Sequence, residues 1–456
     1  MRGKHSGIRT NQRGYIRLSE PPLEPSAEST SEILEPRAGA SRRREFRIVA
    51  LLMALLFYQG YATAIPAIAA PWIARSFGLD QSAIARVFAF LALAAFGALA
   101  LTRLVDRVGR RRVLLWSTFA MPLFAIAAAL SHNLVAFVAF DIGLNSFAGA
   151  AFASSIVILA EELPIAHRAR GQSWGGLASA GGAGLVVFLM PVLVNVGWSW
   201  RWLLVLVAVA IVLVRPLAQL IPESSRWEEI ARGELATRTR FYDVFVPLYR
   251  RRSIALLICA LLAGIANEGI NSYAYFHAVT VVHLTAASAS ALTLAGGGLG
   301  MIGFPLGAWS SERLGRVPTV VIAGIAVAAW ALAYFWGPPR GFLYPAVWLA
   351  AAFCLLEMTS NAVTVASNAA VTELFPTALR ATMIGWFALI SAVASLSAEA
   401  TMAQLALPLG GLSVVAGWLA LLAIPGAILF GVAIDETRGL SLEAAANEAA
   451  FDARGR

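Results

Sequence analysis

The sequence predicts an all-α integral membrane protein with twelve transmembrane helices in two pseudo-symmetric six-helix bundles. Composition, the recurrence of apolar runs and an internal repeat lead there. Of 456 residues, 59% are hydrophobic and 13% charged, outside the range of soluble domains. Apolar runs of about 20 residues or more recur along the chain, each long enough to cross roughly 30 Å of hydrocarbon as a helix.

The expected spans are 46–74, 84–102, 113–131, 134–160, 172–196 and 202–220, then 253–282, 286–309, 317–337, 342–372, 381–408 and 412–434. The first follows a tail rich in Pro, Ser, Glu and Arg, "PPLEPSAESTSEILEPRAGASRRR". That tail lacks the apolar stretch of a signal peptide and reads as disordered. Cys259 and Cys354 fall inside spans and read as packed thiols. Trp198, Trp200 and Trp202 cluster at the start of span 6 as an interfacial aromatic belt.

Basic residues resist translocation, so the arginine clusters mark one face. They occupy the tail (Arg42, Arg43, Arg44), the gap after span 2 (Arg103 to Arg112), and the gap after span 4 (Arg168, Arg170). The central gap and the later even-numbered gaps (Arg313, Arg316, Arg380) continue the pattern. Both termini are therefore expected in the cytoplasm, with the chain multi-pass in the plasma (inner) membrane. Topology accounts for the net charge of +9, so no nucleic-acid partner is implied.

The repeat is read from three echoes. "AEELPIAHRAR" at 160–170 matches "TELFPTALRAT" at 372–382, aligning Glu161, Pro164 and Arg168 with Glu373, Pro376 and Arg380 at an offset of 212. "DRVGRRR" at 106–112 matches "ERLGRVP" at 312–318, an offset of 206, and "PES" at Pro222 matches "DET" at Asp435, an offset of 213. The layout is a tail 1–45, a bundle 46–221, a central cytoplasmic loop 222–252, a bundle 253–435 and a tail 436–456. Within the loop, "FYDVFVPLYRRR" is a short amphipathic piece expected to lie on the membrane surface.

"TRLVDRVGRRR" resembles the loop between helices 2 and 3 of the major facilitator superfamily, written G-x-L-a-D-r-x-G-r-r. Leu104, Asp106, Arg107, Gly109, Arg110 and Arg111 match; Thr102 stands where the first Gly is expected. "PESSRW", "TELFPTALR" and "DETRGLSLEA" further resemble the branch of sugar porters, organic-ion transporters and metabolite/proton symporters. The resemblance spans everything but the tails. It implies the major facilitator fold and a cytoplasmic latch that opens and closes. That latch would comprise Asp106, Arg107, Gly109, Arg110, Arg111, Glu161 and Arg168, with Glu312, Arg316, Glu373 and Arg380 in the second half. A carboxylate such as Asp106 does not orient the chain. It can face a helix N-terminus, worth roughly 0.3–1 kcal/mol, or pair weakly with arginine, which suits a switch.

Gly-rich stretches at 175–184 and 295–303 read as packing surfaces in spans 5 and 8. The resemblance implies that those helices meet across the halves. No strand-turn-helix surrounds them, so they are not phosphate loops.

Ionisable residues inside spans are costly and mark function. Glu357, Asn361, Thr364 and Asn368 share one face of span 10, at i, i+4, i+7 and i+11. Span 7 carries Glu268, Asn271, Ser272 and Tyr275; span 4 carries Asp141 and Asn145; span 1 carries Tyr58, Gln59, Tyr61 and Thr63. The resemblance implies that spans 1, 4, 7 and 10 line a shared cavity. Amides fit an ordinary helix–helix hydrogen bond. A carboxylate with no mid-span Lys or Arg does not, which makes the glutamates candidates for proton or cation binding. Glu399 approaches the outer end of span 11 and is not placed at the site.

Departures from the family patterns bear on cargo. "QGYATA" at 59–64 has Gln59 and Ala62 where aromatic-acid/proton symporters and sugar porters have acids, and Asp141 stands where sugar porters have Arg. The G-P-x-x-G-G pattern of drug/proton antiporters is absent from span 5.

The expected function is secondary active transport of a small organic solute by alternating access, as proton-coupled symport of a neutral or cationic metabolite. Alternatives are a proton-coupled efflux antiporter of organic cations or drugs, and a transporter-like receptor without flux. Partners are the solute, protons and the bilayer, with the chain a monomer. No cofactor or metal is implied. An enzyme is not expected: H-E-x-x-H is absent, and His277 and His283 are assigned to an outer loop.

Overall fold

The computed structural model describes residues 27–162, 168–221, 242–337 and 345–439. It divides into two units, residues 1–46 and 47–456. In the first unit, where the sequence leads one to expect a disordered tail, the described residues from Ala27 are helical. This segment is rich in Ala, Glu and Arg, which favour helix.

Among the described residues twelve helices are long and apolar enough to cross a membrane. They are α1 (Phe46–Phe77), α2 (Gln81–Leu104), α3 (Arg111–Leu130), α4 (Leu134–Leu159), α5 (Trp174–Val196) and α6 (Arg201–Leu220). After the central loop come α7 (Arg250–Thr280), α8 (Ala286–Arg313), α9 (Arg316–Phe335), α10 (Ala346–Val371), α11 (Thr382–Leu405) and α12 (Leu412–Ala433). No strand occurs among the described residues.

The halves repeat each other in packing. α3 packs on α4, α2 on α4 and α3 on α6; their counterparts α9 on α10, α8 on α10 and α9 on α12 do the same. Even single contacts repeat at the sequence offsets. Gly97 on α2 has no room for a Cβ against Ser146 on α4, and Gly303 on α8, 206 residues on, has none against Met358 on α10, 212 on. Irregularities repeat as well. α2 breaks after Leu91 and α8 after Gly300, while α6 passes through a 3₁₀ segment, Ala208–Leu213, and α12 breaks after Ala420. At the starts of α3 and α9, Gly109 and Gly315 hold φ of 109° and 114°, a conformation that disfavours any side chain.

Between halves, α2 packs on α11 and α5 on α8. The glycines of α5 and α8 act mainly within each half. Gly182 lies against the Phe57 carbonyl on α1, and Gly300 and Gly307 lie against Glu357 and Ala362 on α10; Gly184 faces Leu294 across the halves.

One end of the molecule carries Arg103, Arg111, Arg112, Arg252, Arg316 and Arg380 and is called here the arginine-rich end. Away from it a single apolar core runs through both halves, from Tyr61, Ile73 and Phe88 to Tyr273, Phe276 and Leu412. Toward the arginine-rich end the core splits. One cluster around Leu52, Leu114 and Leu159 belongs to the first half, and another around Leu256, Phe375 and Met383 to the second. The halves are joined at one end and parted at the other.

Three local readings change. Trp198 and Trp202 are exposed, but Trp200 is buried, its Nε1 donating to Ser76 Oγ at 3.0 Å and its ring edge-on to Phe137. The 242–249 segment does not simply lie on a membrane surface. Val244 and Tyr249 are fully buried, Tyr249 beside Phe375, and Ser253 Oγ donates to the Val244 carbonyl at 2.6 Å. His277 is not in a loop either: α7 continues to Thr280, and His277 is buried among Tyr334 and Phe335 with Nδ1 2.7 Å from Ser413 Oγ.

Candidate functional site in the cavity between the bundles

A cavity of about 680 Å³ lies where the two halves begin to part, lined by α1, α2, α4, α5, α7 and α11. Its polar groups are Thr63, Asn145 and Ser179 from the first half and Glu268, Asn271, Ser272, Ser395 and Glu399 from the second. No Lys, Arg or His is among its lining residues.

The acidic wall follows from how α7 and α11 meet. Gly264 leaves α7 so close to Ala394 that a Cβ there would be 2.8 Å from the alanine's, an approach that small residues permit. Just beyond, Glu268 and Ser272 on α7 face Ser395 and Glu399 on α11, each pair one helical turn apart. Both helices run in the same direction, so each acid stands beside the other helix's serine: Ser395 reaches Glu268, and Ser272 lies by Glu399. Ser272 Oγ also donates to Glu268 Oε1 at 3.4 Å. Tyr273, one position on, donates its OH to Glu399 Oε2 at 2.6 Å. Glu399 is 1% exposed, and its Oε1 has no hydrogen-bond partner among the described residues.

Opposite stands the amide of Asn145, whose Nδ2 donates to the Asp141 carbonyl at 3.0 Å and to Asp141 Oδ2 at 2.9 Å. Those two bonds occupy both amide hydrogens, leaving Asn145 Oδ1 as an acceptor. Asp141 itself is fully buried behind the cavity wall, with Oδ1 unpartnered among the described residues. Ser179 Oγ donates to Gln59 Oε1 at 3.1 Å, tying α5 to α1.

Of the ten residues expected at the site, Glu268, Asn271 and Asn145 line this cavity. Asp141 and Gln59 support it from behind. The others stand elsewhere. Tyr61 OH donates to the Leu203 carbonyl on α6, and Tyr275 OH contacts Ser290 Oγ on α8 at 3.0 Å while its ring meets Trp72 across the halves. Glu357 packs against Gly300, and Asn361 Nδ2 donates to the Gly300 carbonyl at 3.0 Å. That carbonyl is free because α8 breaks there and Phe304 N bonds to Met301 O instead. Thr364 Oγ1 returns to the Ser360 carbonyl of its own helix.

At the arginine-rich end a charge cluster ties the second half together. Arg316 at the start of α9 pairs with Glu373 after α10 at 2.9 Å, and Thr437 Oγ1 donates to the same carboxylate. Glu436 accepts from the first backbone amides of α9, Arg316 N and Val317 N, both at 2.9 Å. Burial acts to raise its pKa, but these amide donors, with those of Arg438 and Thr437, outweigh it and hold the carboxyl below its ordinary range. Arg380 Nε donates to the Phe375 carbonyl at 2.9 Å, Glu312 is exposed, and Arg111 donates to the Ala218 carbonyl. The side chains of Asp106, Arg107, Arg110, Glu161 and Arg168 lie outside the described residues.

Twelve helices in two matched halves around a polar cavity agree with the family model that fits the chain, Major Facilitator Superfamily, over residues 50–399. The chain belongs to the Major Facilitator Superfamily. It is thus a multi-pass membrane transporter and not an enzyme. Among related superfamily members, the gallate transporter of Pseudomonas putida is 28% identical over 377 residues, covering 75% of this chain and 81% of that one. The gentisate transporter of Corynebacterium glutamicum is 24% identical over 388 residues, 79% and 82% of the two chains. The fold matches the inward open conformation of the xylose transporter XylE from E. coli with a TM-score of 0.62 at 20% identity, covering 89% of this chain and 99% of that one.

The residue that sequence reasoning passed over in this superfamily member is Glu399. Its height on span 11, counted from the end of the apolar run, places it near the surface; in the structure α7 packs over it, with Tyr273 on its carboxylate, and leaves it 1% exposed. A signal was present: Ser395 and Glu399 repeat, reversed, the four-residue spacing of Glu268 and Ser272.

Proposed function

We propose that this protein carries a small organic solute across the plasma membrane by alternating access, with proton movement coupled to it. The arginine-rich end and both termini face the cytoplasm, and the parted cores then correspond to the inward-facing state. The bundles 46–221 and 253–435 rock about the cavity. The arginine and carboxylate clusters at their cytoplasmic ends, Asp106, Arg110, Glu161 and Arg168 with Arg316, Glu373 and Arg380, act as the latch that changes partners.

One observation carries this reading: the cavity is lined by two carboxylates, Glu399 buried and Glu268 half-buried, and by no basic side chain. Uncompensated charge in a low-dielectric interior is costly, so the site calls for protons, cations or both. The relatives named above carry gallate and gentisate, which are carboxylates; an acid-lined cavity supports a neutral or cationic cargo instead. A neutral cargo would travel with the proton, and a cationic one against it.

The experiment is purified protein in proteoliposomes with an imposed pH gradient, screened for uptake and counterflow of neutral solutes and organic cations. Gradient-driven accumulation of at least one is the expected result. Saturable binding of a solute without counterflow under any gradient would instead make the protein a receptor and end the transport reading.

A further inference from the structure

Resting on that reading of the cavity, we propose that Glu268 and Glu399 form the binding site for the ammonium group of an organic cation, which exchanges there with a proton. The two acids come from different helices and share Ser272 between them. Tyr273 satisfies Glu399 Oε2, but Oε1 is buried at the cavity wall with no partner among the described residues. A charged oxygen left so is costly, and a donor arriving through the cavity is what it lacks.

A proton held by the pair supplies one positive charge. An ammonium supplies the same charge with up to three donors, enough to reach Glu399 Oε1 and Glu268 together. The proton it displaces leaves through the cavity to water, so one charge enters for one that departs. The titratable groups facing Glu399 are Glu268 and Tyr273 from α7. From α2 the cavity receives Phe88, Leu91, Ala92 and Ala95, and α12 contains no ionisable residue. Nothing else nearby on these helices competes for the charge.

The rest of the cavity describes the rest of the ligand. Phe88 and Leu91 give apolar lining, while Thr63, Asn145 and Ser179 offer hydrogen bonds from the first half. A small aromatic or aliphatic amine with a hydroxyl at its other end fits this division.

The test uses the full chain in lipid nanodiscs and two matched probes, 4-hydroxyphenethylamine and 4-hydroxyphenylacetate, which differ in the sign of the terminal charge. Calorimetry in buffers of different ionisation enthalpy counts the protons released. The expected result is binding of the amine but not the acid, weakening as pH falls, with proton release on binding. Glu399→Gln and Glu268→Gln should each weaken it by about tenfold or more and abolish the proton release. Should the variants fail to fold, the choice between probes and the proton count on the unaltered protein decide the matter. Preference for the acid, or amine binding without proton release, would overturn the proposal. Counterflow of an anionic or neutral solute unaffected by Glu399→Gln would do the same while leaving the transport function intact.

Discussion

Gln81 and Leu412 join the two halves at the end opposite the arginines: the side-chain Oε1 of Gln81, at the start of α2, accepts from the backbone N of Leu412, at the start of α12, at 2.9 Å. The adjoining Gly411 has φ of 132°, and a Cβ there would lie 3.0 Å from the same oxygen. This bond crosses between the halves at the end where they share one core. Gln81→Ala should therefore shift the conformational equilibrium toward opening there by about 0.5–1.5 kcal/mol. Distances between spin labels on α2 and α12 would report it; an unchanged distribution in the variant would remove any role for the bond in closure.

The glycines of α8 separate packing from mere flexibility. A Cβ on Gly300 would collide with Glu357, whereas Gly297 and Gly298 have nothing within 4 Å. Gly300→Ala should lower stability by about 1–3 kcal/mol through overpacking. Gly297→Ala should be neutral or stabilising by up to about 1 kcal/mol, since alanine favours helix. Thermal unfolding in detergent compares them, and equal shifts would contradict the close approach of α8 to α10.

Asn361 is assigned to holding the broken α8. Asn361→Leu leaves the Gly300 carbonyl without its donor, and a buried unsatisfied group costs about 1–3 kcal/mol. Unfolding should shift accordingly while the affinity for cargo is retained. A lost affinity at unchanged stability would return Asn361 to the transport site.

Glu436 ties stability to pH outside the membrane. Its folded pKa lies below the ordinary 4.5, so its stabilisation is fully present above that value and disappears as pH falls through the lowered one. Glu436→Gln should be less stable than the unaltered protein at neutral pH by roughly 0.3–1 kcal/mol, the worth of an anion at a helix start. The gap should close in acid. Paired unfolding curves across the acid range measure it, and a gap independent of pH would show that the carboxylate charge is not what caps α9.

The membrane helices were legible because hydrocarbon demands long apolar runs with every backbone group satisfied internally, a constraint written residue by residue. The cavity was less legible. Glu357 and Asn145 occupy equivalent positions in the repeat, and the polar stripe on α10 has regular spacing. Yet Asn145 lines the cavity while Glu357, whose backbone and Cβ abut Gly300, does not. Periodicity gives the face of a helix but not its neighbour, and on α10 that neighbour is α8. Trp200 and His277 were misread for a related reason: position in the chain gives depth, whereas burial depends on which helices close over that depth.

By itself the sequence determined the number of membrane helices and the two-fold repeat, because these follow from local composition and from offsets along one chain. Only the tertiary structure decided that Glu268 meets Glu399 rather than Glu357, and that the halves close at one end and part at the other. Those facts depend on contacts between helices more than a hundred residues apart. A period of 3.6 residues selects a face for each helix, and packing alone selects which faces meet.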